Sequence, residues 1–74
     1  MEKKILNVLR MVLENEAIGE NCSQEICPMW DSLRHLNVCF TLENEFNVMF
    51  TPEEMMKMRS FNDIVLLLKT KGVE

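Results

Sequence analysis

Two helix-start signals stand nine residues apart in this chain. Thr51-Pro52-Glu53-Glu54 combines a capping hydroxyl, a proline preset for the first helical position, and a glutamate placed to return to the cap. Ser60-Phe61-Asn62-Asp63 repeats the pattern, with Asp63 at the box position. Whatever lies between them is confined to about two turns. The spacing predicts a short helix from Pro52 to Met58 that presents Met55, Met56 and Met58. A longer helix comes next, in which Phe61, Ile64, Val65 and Leu68 recur at i, i+3, i+4 and i+7. It is expected to end near Lys71, with Gly72 as terminator.

The N-terminal half reads the same way. From Glu2 to about Glu16, Ile5, Val8, Leu9 and Val12 form one apolar stripe, widened by Leu6 and Leu13, and Gly19 lies just past the expected end. No period runs from Ile18 to Trp30, where Gly19, Asn21, Ser23 and Pro28 punctuate the chain. A loop of that length is usually functional or mobile. A further helix is expected to start at Asp31 or Ser32 and to end at Asn47, after Phe46. Its apolar residues Leu33, Leu36, Val38, Cys39, Phe40, Leu42 and Phe46 cover much of the circumference, which places it at the centre of a bundle. No strand alternation, internal repeat or low-complexity segment is evident. The expected fold is all-α: a four-helix bundle with three longer helices, a short third helix and a long first loop. At 74 residues it is a single domain over residues 1–74.

The same sequence narrows the classes of function. The formal net charge is −4, and the eight basic residues are scattered rather than gathered into the stripe that phosphate contacts require. Nucleic acid is therefore not an expected partner. The longest apolar run, Ile64 to Leu68, is far short of a membrane span. Lys3 and Lys4 could begin a signal peptide, but Asn7 and Arg10 interrupt the apolar stretch beyond them and no small-residue cleavage site appears. A cytoplasmic protein is expected. Cys22, Cys27 and Cys39 are odd in number and lack CxxC spacing, so reduced thiols are expected, although Cys22 and Cys27 would pair if they met across the loop. Three cysteines and His35 lack the paired spacing of a zinc finger, and no structural zinc is expected.

No catalytic constellation emerges, and the chain is not expected to be an enzyme. Ser32 and His35 lie three apart with no acid evident to orient the imidazole. The pairs Glu43/Glu45 and Glu53/Glu54 read as solvated helix charges. With Gly19 and Gly72 as the only glycines, there is no phosphate-cradling loop. The informative stretch is Trp30-Asp31-Ser32-Leu33, where the long loop meets the central helix. A serine at a helix start exposes its hydroxyl beside free backbone N–H groups, which favour an attached anion. Both Asp31 and Ser32 are also good cap residues, which would account for them without any attached group.

Asp31-Ser32-Leu33 resembles the attachment motif of the acyl carrier protein family, the phosphopantetheine-bearing carrier domains. The resemblance continues through Leu36, Leu42, Glu43, Glu45 and Phe46 of the central helix. It extends into Phe50-Thr51-Pro52-Glu53-Glu54, Ser60-Phe61 and the Ile64-to-Leu68 stripe, without a gap from Trp30 to Leu68. It implies a free-standing, monomeric acyl carrier in which Ser32 bears 4′-phosphopantetheine from coenzyme A, with Asp31 and Leu33 as its motif neighbours. The partners implied are a phosphopantetheinyl transferase and the acyl-transferring or condensing enzymes of a fatty-acid, polyketide or specialised pathway.

Two departures stand out. Arg34-His35-Leu36-Asn37 occupies the segment that is strongly acidic in many members. The lead-in from Asn21 to Met29 is short, with Met29 where glycine is common. The first departure argues for dedicated partner enzymes. Pro28-Met29-Trp30 also lacks the glycine-rich lead-in often seen in aminoacyl or peptidyl carriers, which are the nearest alternative. The rival from another class is a small helical interaction module with no prosthetic arm. Trp30 is expected to anchor the loop, His35 to be partly buried and Cys39 to act as a small core hydrophobe. The methionines either fill the core or line a shelter for an acyl chain.

Overall fold

The computed structural model describes residues 1–73 and contains four helices: α1 (Glu2–Val12), α2 (Ser32–Phe46), α3 (Pro52–Lys57) and α4 (Phe61–Thr70). Among the described residues the single sheet-like feature is an antiparallel bridge between Ser23 and Ser60. The helix α1 lies against both α2 and α4. Its Ile5, Val8 and Leu9 join Val38, Cys39 and Leu42 of α2 and Phe61, Ile64, Val65 and Leu68 of α4 in one buried cluster. Loop residues Leu13, Ile18, Cys22 and Trp30, together with Phe50 and Met58 on either side of α3, complete it.

Helix α1 ends earlier than the apolar stripe suggests. Leu13 is still buried, yet the chain turns at Glu14, which takes a left-handed φ of 54°. The Glu14 N–H returns to the Met11 carbonyl and the Asn15 N–H to that of Arg10, a Schellman closure built without glycine. Gly19, the expected terminator, lies within the loop. Two partners secure this end: Arg10 Nε donates to the Ile18 carbonyl at 2.8 Å and Arg34 Nη1 to the Leu13 carbonyl at 3.1 Å.

The other ends obey their local signals. Asn47 closes α2 in the left-handed region (φ 54°), and Gly72 (φ 87°) does the same after α4, where Val73 N–H returns to the Leu68 carbonyl. Thr51 and Glu54 complete a reciprocal capping box on α3. Ser60 caps α4 through the Asp63 N–H, but the Asp63 carboxylate returns to the Arg59 N–H, one residue before the cap. The short helix stops at Lys57 because Met58 leaves it (ψ 68°) with its side chain fully buried.

Helix α2 departs most from its expected setting. Leu33, Leu36 and Phe40 are 73%, 45% and 51% exposed, so this helix is not enclosed on all sides. Its core contact is confined to the Val38, Cys39 and Leu42 side, with Phe46 half-buried. No helix among the described residues is long and apolar enough to cross a membrane.

Candidate functional site

Asp31, Ser32 and Leu33 lie together at the surface where the loop enters α2. Asp31 has extended backbone (φ −90°, ψ −178°), and its Oδ1 accepts the Arg34 N–H at 2.9 Å. That bond satisfies one of the orphan donors of the first turn. The cap is therefore Asp31. Ser32 is the first helical residue, exposed, and its hydroxyl is not the group that closes the helix end. Beside it the backbone N–H groups of Ser32 and Leu33 precede the first intrahelical donor, His35 N–H, which reaches the Asp31 carbonyl at 2.8 Å.

Leu33 opens an apolar stripe. With Leu36 and Phe40 at i+3 and i+7, it forms one exposed face along α2 that starts beside the Ser32 hydroxyl. Arg34 does not contribute a free charge to that face, because its guanidinium is drawn back to the end of α1. Besides the bond to Leu13, its Nη2 sits 3.4 Å from Glu14 Oε2. The acidic residues further along are also partly occupied. Glu43 Oε2 accepts the Phe50 N–H at 2.8 Å and so fixes the turn from α2 into α3.

Trp30 and His35 support the motif from within. The indole is 2% exposed, its backbone N–H donates to the Cys27 carbonyl, and its Nε1–H donates to His35 Nδ1 at 3.0 Å. An indole nitrogen can only donate, so Nδ1 is an acceptor and the imidazole proton resides on Nε2. Nε2 then donates to the Met55 carbonyl of α3 at 2.6 Å. One neutral imidazole thus joins the loop, α2 and α3. Cys39 Sγ lies 3.7 Å from the same nitrogen, and burial, with the nearby Glu43 charge, pushes its thiol up to about 11. It behaves as a small core hydrophobe.

The methionines divide. Met58 is core, Met55 is half-buried and Met56 is 69% exposed. Met56 joins Glu53, Lys57, Arg59 and Asp63 around an open groove of about 550 Å³. None of those residues belongs to α2, so this groove is separate from the Ser32 surface. The cysteines are free thiols, with Cys22 and Cys39 buried and Cys27 half-buried. Among the described residues no group of three or more His, Cys, Asp or Glu side chains converges as metal ligands.

Sequence reasoning located the Asp31-Ser32-Leu33 surface and its cap but missed three features, two of them long-range bonds. The Arg34 bond to Leu13 spans 21 positions and the His35 bond to Met55 spans 20, so neither leaves a local pattern. The third, the exposure of Leu33, Leu36 and Phe40, depends on no element covering them. Comparison with known proteins finds no family model that matches this chain and no curated protein similar to it.

Proposed function

We propose that this chain is a free-standing acyl carrier protein of the four-helix carrier type, with Ser32 as the attachment point for 4′-phosphopantetheine. The observation that carries this reading is the division of labour at the start of α2. Asp31 caps the helix, so the exposed Ser32 hydroxyl is left for another role. Attachment would exchange the Ser32 O–H for a phosphodiester taken from coenzyme A, with the nucleotide portion as leaving group. The resulting anion would lie against uncapped N–H groups at the positive end of a 15-residue helix. The donor set suits a phosphate ester.

When bound, the arm supplies a terminal thiol that holds an acid as a thioester. The chain itself contributes presentation: Asp31 fixes the helix start, while Trp30 and His35 hold the loop behind it. The exposed stripe of Leu33, Leu36 and Phe40 would offer partner enzymes an apolar face beside the arm. That face lacks the acidic character typical of many carriers because residues 34–37 are Arg34, His35, Leu36 and Asn37, and the one full cation among them is engaged at α1. This supports a dedicated set of acyl-transferring or condensing enzymes. No step of the chemistry falls to the carrier, and a cytoplasmic, monomeric shuttle fits this role.

The same stripe would serve an interaction module without an arm, and the cargo of an aminoacyl carrier would use the same serine. Incubation with a broad-specificity phosphopantetheinyl transferase, coenzyme A and Mg²⁺, with intact mass as the readout, separates the first of these. One added phosphopantetheine is expected, and Ser32→Ala should abolish it while leaving the helical circular dichroism unchanged. Efficient modification of the Ala variant would refute the site, and an unmodified parent chain would favour the interaction module. Loading trials with acyl and aminoacyl donors then distinguish the two kinds of carrier.

A further inference from the structure

We propose that Cys22 and Cys27 form a reversible disulfide that locks the loop leading into α2, a redox site independent of whatever Ser32 carries. Their Sγ atoms are 2.7 Å apart. A disulfide bond spans about 2 Å, so closure asks for only a small movement of two side chains. The pairing is local, since a turn already brings the two residues together: the Ile26 and Cys27 N–H groups both return to the Ser23 carbonyl.

This turn is anchored on both sides. The Cys22 carbonyl accepts the Phe61 N–H of α4, and the Gln24 N–H donates to the Arg59 carbonyl, which together form the bridge at Ser23 and Ser60. At the other end the Cys27 carbonyl accepts the Trp30 N–H, and Trp30 holds His35. A bond across 22–27 would therefore tie the α4 anchor directly to the residue that positions Trp30. The closed ring is short, so it adds less loop-closure stabilisation than a long-range crosslink would. Such a bond is expected to track the redox poise of its surroundings rather than to serve as a permanent staple.

The two thiols differ in access. Cys22 is buried, and burial together with its hydrogen bond to Cys27 and the Cys27 charge pushes it up to about 12. Cys27 is half-buried and is the sulfur that a small disulfide such as oxidised glutathione reaches first. Its thiolate would displace one glutathione thiolate to give a mixed disulfide. Cys22 would then release its proton to solvent and attack Cys27 Sγ, expelling the second glutathione thiolate. Two protein thiols and one glutathione disulfide become one protein disulfide and two glutathione thiols, so electrons balance with glutathione as the oxidant. Proximity, rather than acidity at Cys22, drives the second step.

The reduced chain, held without oxygen in buffers of graded oxidised-to-reduced glutathione ratio, provides the test after acid quenching, alkylation, intact mass and peptide mapping. The expected product is lighter by two hydrogens, maps to Cys22–Cys27, and reverts with dithiothreitol. Its equilibrium constant against glutathione should exceed that of the same chain in concentrated urea by at least about tenfold. Amide exchange at Ile26 and Cys27 should slow on oxidation. The Cys27→Ser variant should keep its helical spectrum and show no such product. A stable glutathione adduct on Cys27 that never closes, a bond to Cys39, or equal constants in native buffer and urea would each overturn the proposal.

Discussion

Helices α1 and α3 are held in place by opposite means. Three of the eleven residues of α1 are buried, and its stripe meets both α2 and α4. None of the six residues of α3 is buried. Its order comes from its ends and from single bonds: the Thr51–Glu54 box, Phe50 and Met58 as buried anchors on either side, and His35 on the Met55 carbonyl. The Glu54 carboxylate adds an ion pair to Lys71 Nζ at 2.9 Å, and that ammonium also lies 5.6 Å from the centre of the Phe50 ring. Isolated helices this short are marginal. A helix secured by an apolar face opens only with the whole fold, whereas one secured at its ends can open alone. If the chain carries acyl groups, α3 is the part of the bundle best suited to yield.

The largest expected contrast comes from the core. Truncating Leu9→Ala on α1 should cost about 2–5 kcal/mol, because a fully buried leucine leaves a cavity that the bundle cannot close. Met56→Ala on α3 should change stability by no more than about 0.5 kcal/mol, since that side chain is largely in solvent. Urea titration of the two variants measures both. Comparable losses would mean that α3 belongs to the cooperative core.

A smaller but local effect should come from His35→Phe, which keeps an aromatic ring at the position and removes both imidazole bonds. The Trp30 indole N–H and the Met55 carbonyl lose their partner, at a cost of about 1–3 kcal/mol. Hydrogen exchange should rise across residues 52–57 and change little across residues 36–46. A uniform rise in both would show that His35 stabilises the bundle as a whole rather than clamping α3.

These expectations mark where the sequence was informative. The 3.6-residue period of α4 assigned Phe61, Ile64, Val65 and Leu68 to the core, and all four are buried, because a stripe that narrow has one way to face inward. The caps of α3 and α2 were legible for a related reason: Thr51, Glu54 and Asp31 act within three residues of themselves. Helix α2 was misjudged, since apolarity around a circumference does not say which side lacks a neighbour. Leu33, Leu36 and Phe40 are exposed because no described element covers them. The end of α1 was hidden as well. Glu14 is not a residue whose type announces a left-handed turn, and the Arg10 and Arg34 bonds that secure that turn reach a loop and come from another helix. At the candidate site the position of Ser32 was readable from its tripeptide. That Asp31 caps the helix was likewise expected from its residue type, and the bond to the Arg34 N–H bears it out.

Next in size is the cap itself. Thr51→Ala removes the hydroxyl that accepts the Glu54 N–H, at an expected cost of about 1 kcal/mol. If α3 opens alone, the loss should appear chiefly as faster exchange of the Met55 amide, which donates to the Thr51 carbonyl, with the urea midpoint barely displaced. A shift of the midpoint as large as that of a core truncation would break the distinction between the two helices.

The smallest effect belongs to the link between α3 and the end of α4. Glu54 is held below the ordinary carboxylate range, first by the Thr51 N–H it accepts and then by its hydrogen bond to the Lys71 ammonium. A carboxylate with a depressed folded pKa favours the folded state above its unfolded value, and that contribution is lost as pH falls through the folded one. The α3 amides should therefore exchange progressively more readily, relative to those of α1, as the solution is acidified below the ordinary glutamate range. Lys71→Met should reproduce part of this at neutral pH, roughly a twofold increase in opening that shrinks in high salt, because a solvated pair is weak and screened. Its removal also takes the ammonium from the Phe50 ring, so the comparison needs Glu54→Gln, which leaves that contact in place. If both variants loosen α3 alike and the difference between low and high salt disappears in each, the ion pair is the tether. If Lys71→Met acts and Glu54→Gln does not, the lysine works through Phe50, and α3 is fastened by its flanking aromatic rather than by its own carboxylate.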